Sequence, residues 1–300
     1  ATAESSTNVE ISEDPDNIWT GETWWVAADA HVDVGVYEEL ATSVEDVKHN
    51  LETDFAIMLG DMVNDTVEAV PYFDRQMDKL PHGWTYILGN HDFDVATGEG
   101  VKEPNYFSKI VEGIRIIALS DEVHSRNLEL GEEQEEWFRD RLKEAPDIPT
   151  ILMTHQGPDE PWYLRGYAGR ALFWDEWLRE EIEDYNIVAW IAGHRHIWDI
   201  SRDFEDSGMD RIYIKNIGGA GIRHQSMVMS IEEGTVNLGF RDHRSGEWIS
   251  VGDGEISPFW FEIFLLGTLS VSTLFVMVAS ARSKKDGKIY DNSKTISESE

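Results

Sequence analysis

Trp24-Trp25-Val26-Ala27-Ala28-Asp29-Ala30-His31 is a run of five apolar residues that stops at an aspartate and a histidine. Short apolar runs bounded by polar turn residues read as buried strands. The pattern recurs down the chain. Phe55–Leu59 is followed by Gly60-Asp61, and Trp84–Leu88 by Gly89-Asn90-His91-Asp92. Thr150–Met153 leads to His155, and Ile187–Ala192 to Gly193-His194-Arg195-His196. Between these runs, Glu38–Leu51, Val67–Leu80, Gln134–Leu142 and Leu172–Tyr185 place apolar residues at three- and four-residue spacing, which predicts helices. Strands alternating with helices argue for an α/β fold. In such folds, sites gather at the carboxyl ends of strands. Ile212–Ile217, Met227–Ile231 and Val236–Phe240 are further strand candidates.

The predicted strand ends hold aspartate, asparagine and histidine, and five of the ten histidines fall there. Hard oxygen and borderline imidazole donors together suit divalent Mn, Fe, Zn or Co. His194 and His196, one residue apart after Gly193, can face two neighbouring ions from a tight turn. Asp61, after a glycine at a strand end, can bridge two cations. Two ions about 3.5–4 Å apart can hold a phosphate and a hydroxide in line. Taken singly, an Asp-x-His or a Gly-Asp is a commonplace turn, and a histidine after a strand is usually structural. Five such clusters in this order, each after an apolar run, are not explained by turns alone.

The ordered set resembles the calcineurin-like metallophosphoesterase superfamily over roughly Trp24 to His196. The resemblance implies a four-layer αββα sandwich of two mixed sheets. It implies that Asp29, His31 and His196 hold one metal ion, that Asn90, His155 and His194 hold the other, and that Asp61 bridges them. His91 would act as general acid or stabilise the transition-state charge, with Asp92 orienting it. The nucleophile would be a hydroxide drawn from water by the ions, with no covalent enzyme intermediate. Gly60-Asp61-Met62-Val63-Asn64-Asp65 lacks the arginine of the Ser/Thr protein phosphatases and, at Asn64, the tyrosine ligand of purple acid phosphatases. The stretch around Leu130, Gln134 and Trp137 is similar to a helix of the branches near cyclic-nucleotide phosphodiesterases and acid phosphatases. Arg126 and Arg195 are the candidate phosphate-binding cations.

The chain has 300 residues with 58 acidic and 25 basic side chains, a net charge of −33. Such a surface repels polyanions, so a nucleic acid is disfavoured as partner. One reading of the charge is adaptation to high salt. There is no cysteine, which excludes disulfides, thiolate metal sites and a cysteine nucleophile. Phe259–Ala281 is an apolar run of 23 residues in which Glu262 is the one charged residue. As a helix it spans roughly 34 Å, enough for a hydrocarbon core of about 30 Å. Arg282, Lys284, Lys285 and Lys288 follow it, which predicts a cytoplasmic tail and an outward-facing catalytic domain. The expected organisation is a flexible lead-in over 1–20, a catalytic domain over 21–251, a linker over 252–258, a single-pass transmembrane helix over 259–281 and a cytoplasmic tail over 282–300. An outward-facing domain with one C-terminal anchor also implies an export signal removed ahead of Ala1.

The expected function is hydrolysis of a small phosphomonoester or phosphodiester, such as a nucleotide, at the cell surface. The rivals are a membrane phosphodiesterase acting on lipid-linked phosphate head groups, and a non-catalytic binding or scaffold domain on the same fold. Nothing in the composition speaks to oligomeric state.

Overall fold

A computed structural model describes residues 9–12, 20–120, 122–124, 127–128, 130–158, 180–204, 207–219 and 223–251. The run 259–281, its linker 252–258 and its tail 282–300 lie outside them, as do Arg126 and most of Leu172–Tyr185. Among the described residues, no helix is long and apolar enough to cross a membrane.

In chain order the strands are β1 (Val9–Ile11), β2 (Glu22–Ala27), β3 (Phe55–Leu59), β4 (Gly83–Ile87), β5 (Phe107–Val111), β6 (Ile114–Ala118), β7 (Glu122–His124), β8 (Asn127–Leu128), β9 (Thr150–Thr154) and β10 (Ile187–Ala192). They continue with β11 (Asp199–Ser201), β12 (Asp210–Tyr213), β13 (Gln225–Glu232), β14 (Thr235–Asp242) and β15 (Glu247–Ile249). The helices are α1 (Glu38–Asn50), α2 (Val70–Met77) and α3 (Glu132–Glu144). One sheet runs β1-β14-β13-β2-β3-β4, with β15 also on β14. The other runs β11-β12-β10-β9-β6-β5, and β7 pairs with β8 apart from both. Both large sheets are mixed: β2, β3 and β4 are mutually parallel, as are β6, β9, β10 and β12, while β13 and β5 run antiparallel to their neighbours.

The residues of β2 show why two sheets pack. Successive side chains of a strand face opposite ways. Trp24, Val26 and Ala28 enter a core shared with Ile116, Ile151, Met153 and Ile191 of the other sheet. Trp25 and Ala27 face outward into a second core with Leu40, Val44 and Val47 of α1 and Phe73 and Met77 of α2. Those α1 positions recur at four and three residues, the spacing of one helical face. Acids in its first turn (Glu38, Glu39) and bases in its last (Lys48, His49) match the helix dipole. On the outer face of the second sheet, Phe138 and Leu142 of α3 pack with Ile117, Leu152 and Trp190. Helices thus cover the outer faces of two sheets that share a core, as the resemblance implies. Burying each tryptophan of β2 contributes roughly 2 kcal/mol or more.

Two expectations are corrected. Residues 9–11 are not lead-in: Val9 pairs with Val236 and Ile11 with Leu238, so β1 is a strand of the first sheet. The helix expected over Val67–Leu80 is a 3-10 turn at Val67–Ala69 followed by the shorter α2, because Pro71 belongs in the first turn of a helix and not in its interior.

Candidate metal centre

The first sheet supplies ligands from the carboxyl ends of β2 (Asp29, His31), β3 (Asp61) and β4 (Asn90), and the second from those of β9 (His155) and β10 (His194, His196). These are adjacent parallel strands within each sheet, so the site spans the two sheet ends. Backbone bonds draw the loops together. Asp29 N donates to Gly60 O at 3.0 Å, His31 N to Asp61 O at 2.9 Å and Gly193 N to His155 O at 3.0 Å. His194 N donates to Asp29 Oδ2 at 2.9 Å, joining the sheets directly. Two glycines allow the approach: a Cβ on Gly89 would stand 2.4 Å from Asp61 Oδ1, and one on Gly193 2.8 Å from Asp29 Oδ2. The backbone bends to aim the ligands. Asp29, His31, Asp61, His194 and His196 all hold positive φ, between 44° and 66°. Side chains other than glycine seldom adopt that region, and such strain collects at functional sites.

Two groups of donors result. Asp29, His31, Asp61 and His196 form one, and Asp61, His155 and His194 the other, each with its ligand atoms within 4.8 Å of one another. Asp61 belongs to both. In the first, His196 Nε2 lies 3.1 Å from Asp29 Oδ1 and 3.2 Å from His31 Nε2, and His31 Nε2 is 3.5 Å from Asp61 Oδ2. In the second, His155 Nε2 is 3.4 Å from Asp61 Oδ1, 3.1 Å from Asn90 Oδ1 and 3.2 Å from His194 Nδ1. All seven sequence-predicted ligands are therefore brought together. His155 Nδ1 donates to Leu59 O at 2.8 Å, which turns Nε2 inward, the usual outer support of a ligating imidazole. Imidazole nitrogens facing one another at 3.2 Å, beside buried carboxylates and without a thiol, fit a pair of divalent ions with N/O preference.

Titration follows the surroundings. Burial pushes the His31 and His194 imidazoles down, His194 to about 4 with help from the neighbouring His155. Burial would lower His196 too, but the hydrogen bond and charge of Asp29 raise it above the ordinary histidine value. Asp61 opposes its own burial: the charge and hydrogen bond of His155, then the charge of His31, hold it well below the carboxylate range.

His91 stands at the opening, its N donating to Asp61 Oδ1 at 2.7 Å. Its Nδ1 meets Asp65 Oδ2 at 3.0 Å. Here the structure differs from the sequence reading, which gave that role to Asp92. Asp92 points into the loop instead, accepting from Val63 N at 3.1 Å and Gly89 N at 2.9 Å. Burial and then the nearby Asp61 charge push its pKa up to about 8. Arg195 is also redirected. Its Nη1 donates to Asp199 Oδ2 at 2.9 Å and its guanidinium lies over the Tyr213 ring, 4.5 Å from the centroid. The opening itself is a cavity of about 410 Å³ lined by His31, Asn64, His91, His196 and Arg223 among others. Arg223 escaped the sequence reading because it belongs to none of the strand-end motifs.

Residues 23–198 match the family model described as calcineurin-like phosphoesterase. The chain belongs to that family. The 3',5'-cyclic adenosine monophosphate phosphodiesterase CpdA of Escherichia coli is 27% identical over 137 residues, 43% of this chain and 50% of the relative. The chain thus spans about half the length of the curated relatives it matches. Among solved structures, a purple acid phosphatase from yellow lupin (Lupinus luteus) superposes with a TM-score of 0.59 at 13% identity, over 77% of this chain and 53% of the phosphatase. A dimetal phosphatase from Danio rerio does so at 0.52 and 12%, over 73% and 95%. At these identities the likeness is one of fold.

Proposed function

We propose that the chain is a dinuclear metal-dependent hydrolase of small phosphoesters, with a nucleotide phosphodiester as the leading substrate class. The observation that carries this reading is Asp61, one carboxylate with an oxygen in each of two donor groups. Asp29, His31 and His196 would hold one ion, and Asn90, His155 and His194 the other. Bound there, two divalent ions would supply Lewis-acid charge and an acidified water. The chain's own residues do the rest. His91, held by Asp65 at Nδ1, presents Nε2 as proton donor to the leaving-group oxygen. The diester preference draws on the cyclic-nucleotide activity in the name of the E. coli relative. The apolar run 259–281 supports a tethered enzyme working outside the cell. A lipid-linked phosphate is the second reading, favoured by Val34 and Val36, which are 51% and 52% exposed on the turn after β2.

Elemental analysis and turnover of bis-p-nitrophenyl phosphate, p-nitrophenyl phosphate and cyclic nucleotides test the proposal. Wild type is expected to hold two ions and lose activity to chelator, and Asp61→Asn to lose at least one ion. His91→Ala should keep both ions and lose turnover by about 10²-fold or more. Wild type that never holds more than one ion, or a His91→Ala protein with full activity, overturns it.

A further inference from the structure

Arg223 lines the metal-facing cavity beside His31, His91 and His196. It is the one basic side chain among the described residues that do so other than histidine; the acids at the opening are Asp33 and Glu39. Its guanidinium is ion-paired to Glu39 and its side chain is 44% exposed. The described residues on either side of 220–222 are fastened to the ligand turn or to each other. Ile217 N donates to Ala28 O at 3.1 Å, Gly218 N to Asp29 O at 2.9 Å, and His224 N closes the loop on Ile217 O at 2.8 Å. Gly219 presses against the site: a Cβ there would be 2.6 Å from His31 Cδ2. Arg223 thus adjoins a backbone anchored beside the ligand turn, through its neighbour His224.

In a chain of net charge −33, a guanidinium aimed into this opening runs against the composition. A pair of bound ions would answer the charge of the phosphate under attack. A second anionic group on the same substrate would instead meet Asp33, Glu39 and Arg223, and of these only Arg223 attracts it. Guanidinium forks bind carboxylate and phosphoryl oxygens in pairs, and Glu39 takes Nη1, one of the donors that such a group would use.

We propose that Arg223 is a specificity-determining residue that selects phosphoesters carrying a second anionic group, a carboxylate or a further phosphoryl, and that Glu39 is the internal anion the substrate displaces. The proposal rests on the hydrolase reading above. The test compares 4-carboxyphenyl phosphate with phenyl phosphate, using the metal-loaded full chain. Wild type is expected to prefer the carboxylated ester. In Arg223→Ala the ratio of the two kcat/KM values should fall about tenfold, the scale of one hydrogen bond between charged groups, with the change in KM. Arg223→Lys should restore part of the preference, and Glu39→Gln should increase it. General damage to the fold would move both esters alike and leave the ratio in place. A ratio unchanged in Arg223→Ala and Glu39→Gln overturns the proposal. If wild type cleaves neither monoester, the hydrolase reading still stands or falls by the diester panel above, and calorimetric binding of the two matching phosphonates decides the Arg223 assignment on its own: equal affinities would overturn it.

Discussion

Asp65→Asn would keep a hydrogen-bond acceptor 3.0 Å from His91 Nδ1 but remove the carboxylate charge behind the ring. The expected result is a fall of about tenfold or more in kcat with KM little moved and both ions retained, read by steady-state kinetics beside elemental analysis. A drop in metal content instead would show Asp65 acting on the ligands. Gly89→Ala is expected to be worse than its size suggests. The new methyl would stand 2.4 Å from both Asp61 N and Asp61 Oδ1, so the carboxylate shared by both donor groups must shift, and metal stoichiometry should fall with activity. At this scale the sequence was informative where a ligand follows its own strand, as Asp61 and His155 do. It was misleading where a partner comes from another loop. Asp92 is the chain neighbour of His91, yet the residue that meets the ring is 26 positions away.

A single buried network attaches α1 to β13 and β14. Asp46 of α1 accepts Arg241 Nε at 2.7 Å, Arg241 Nη2 at 2.8 Å and His243 Nδ1 at 2.8 Å. His243 Nε2 meets Ser226 Oγ at 2.6 Å, and Trp25 Nε1 donates to the same hydroxyl at 2.7 Å. Burial alone would raise the Asp46 pKa; the hydrogen bonds of Arg241, then His243 and Asn50, hold it far below the carboxylate range. Because the folded value is depressed, this stabilisation is complete above the unfolded carboxylate value of about 4 and drains away as pH falls below it. Asp46→Ala is expected to cost on the order of 3 kcal/mol at neutral pH in denaturant titration, since it strands a buried guanidinium. Asp46→Asn should show a flatter loss of stability on acidification than wild type. β3 and β10, rich in apolar residues, and α1, whose apolar residues recur at helical spacing, were legible in the sequence nearly to the residue. β5 was not, because Ser108 and Lys109 interrupt its alternation, and β1, β11 and β15 are only three residues long. The β5–β6 hairpin did leave a trace. Glu112-Gly113, both with positive φ, join its strands, and Glu233-Gly234 join β13 to β14 in the same way. A two-residue turn of that kind is the preferred hairpin connection.

Across the whole molecule, the strand-and-helix pattern argued only for an α/β fold, and the two sheets were anticipated through the family resemblance that the ordered strand-end motifs carry. The composition could not say what a net charge of −33 does to that fold. Like charges oppose compaction, and salt shortens their reach from about 10 Å at 0.1 M to about 3 Å at 1 M. The thermal midpoint is therefore expected to rise from dilute buffer to molar salt. A midpoint equal at both would mean that the acids are already balanced locally and would remove the case for adaptation to high salt. β1 and β15 both lie on β14, the strand at the far side of the first sheet from β4. A pull applied before Val9 and after Val251 would reach that margin first. β1 and β15 would bear it before β2, β3 and β4, which lead to four of the seven predicted ligands. Once β1 detached, the strain would run along the chain into β2 and so toward Asp29 and His31, so β1 is the sacrificial strand that delays it.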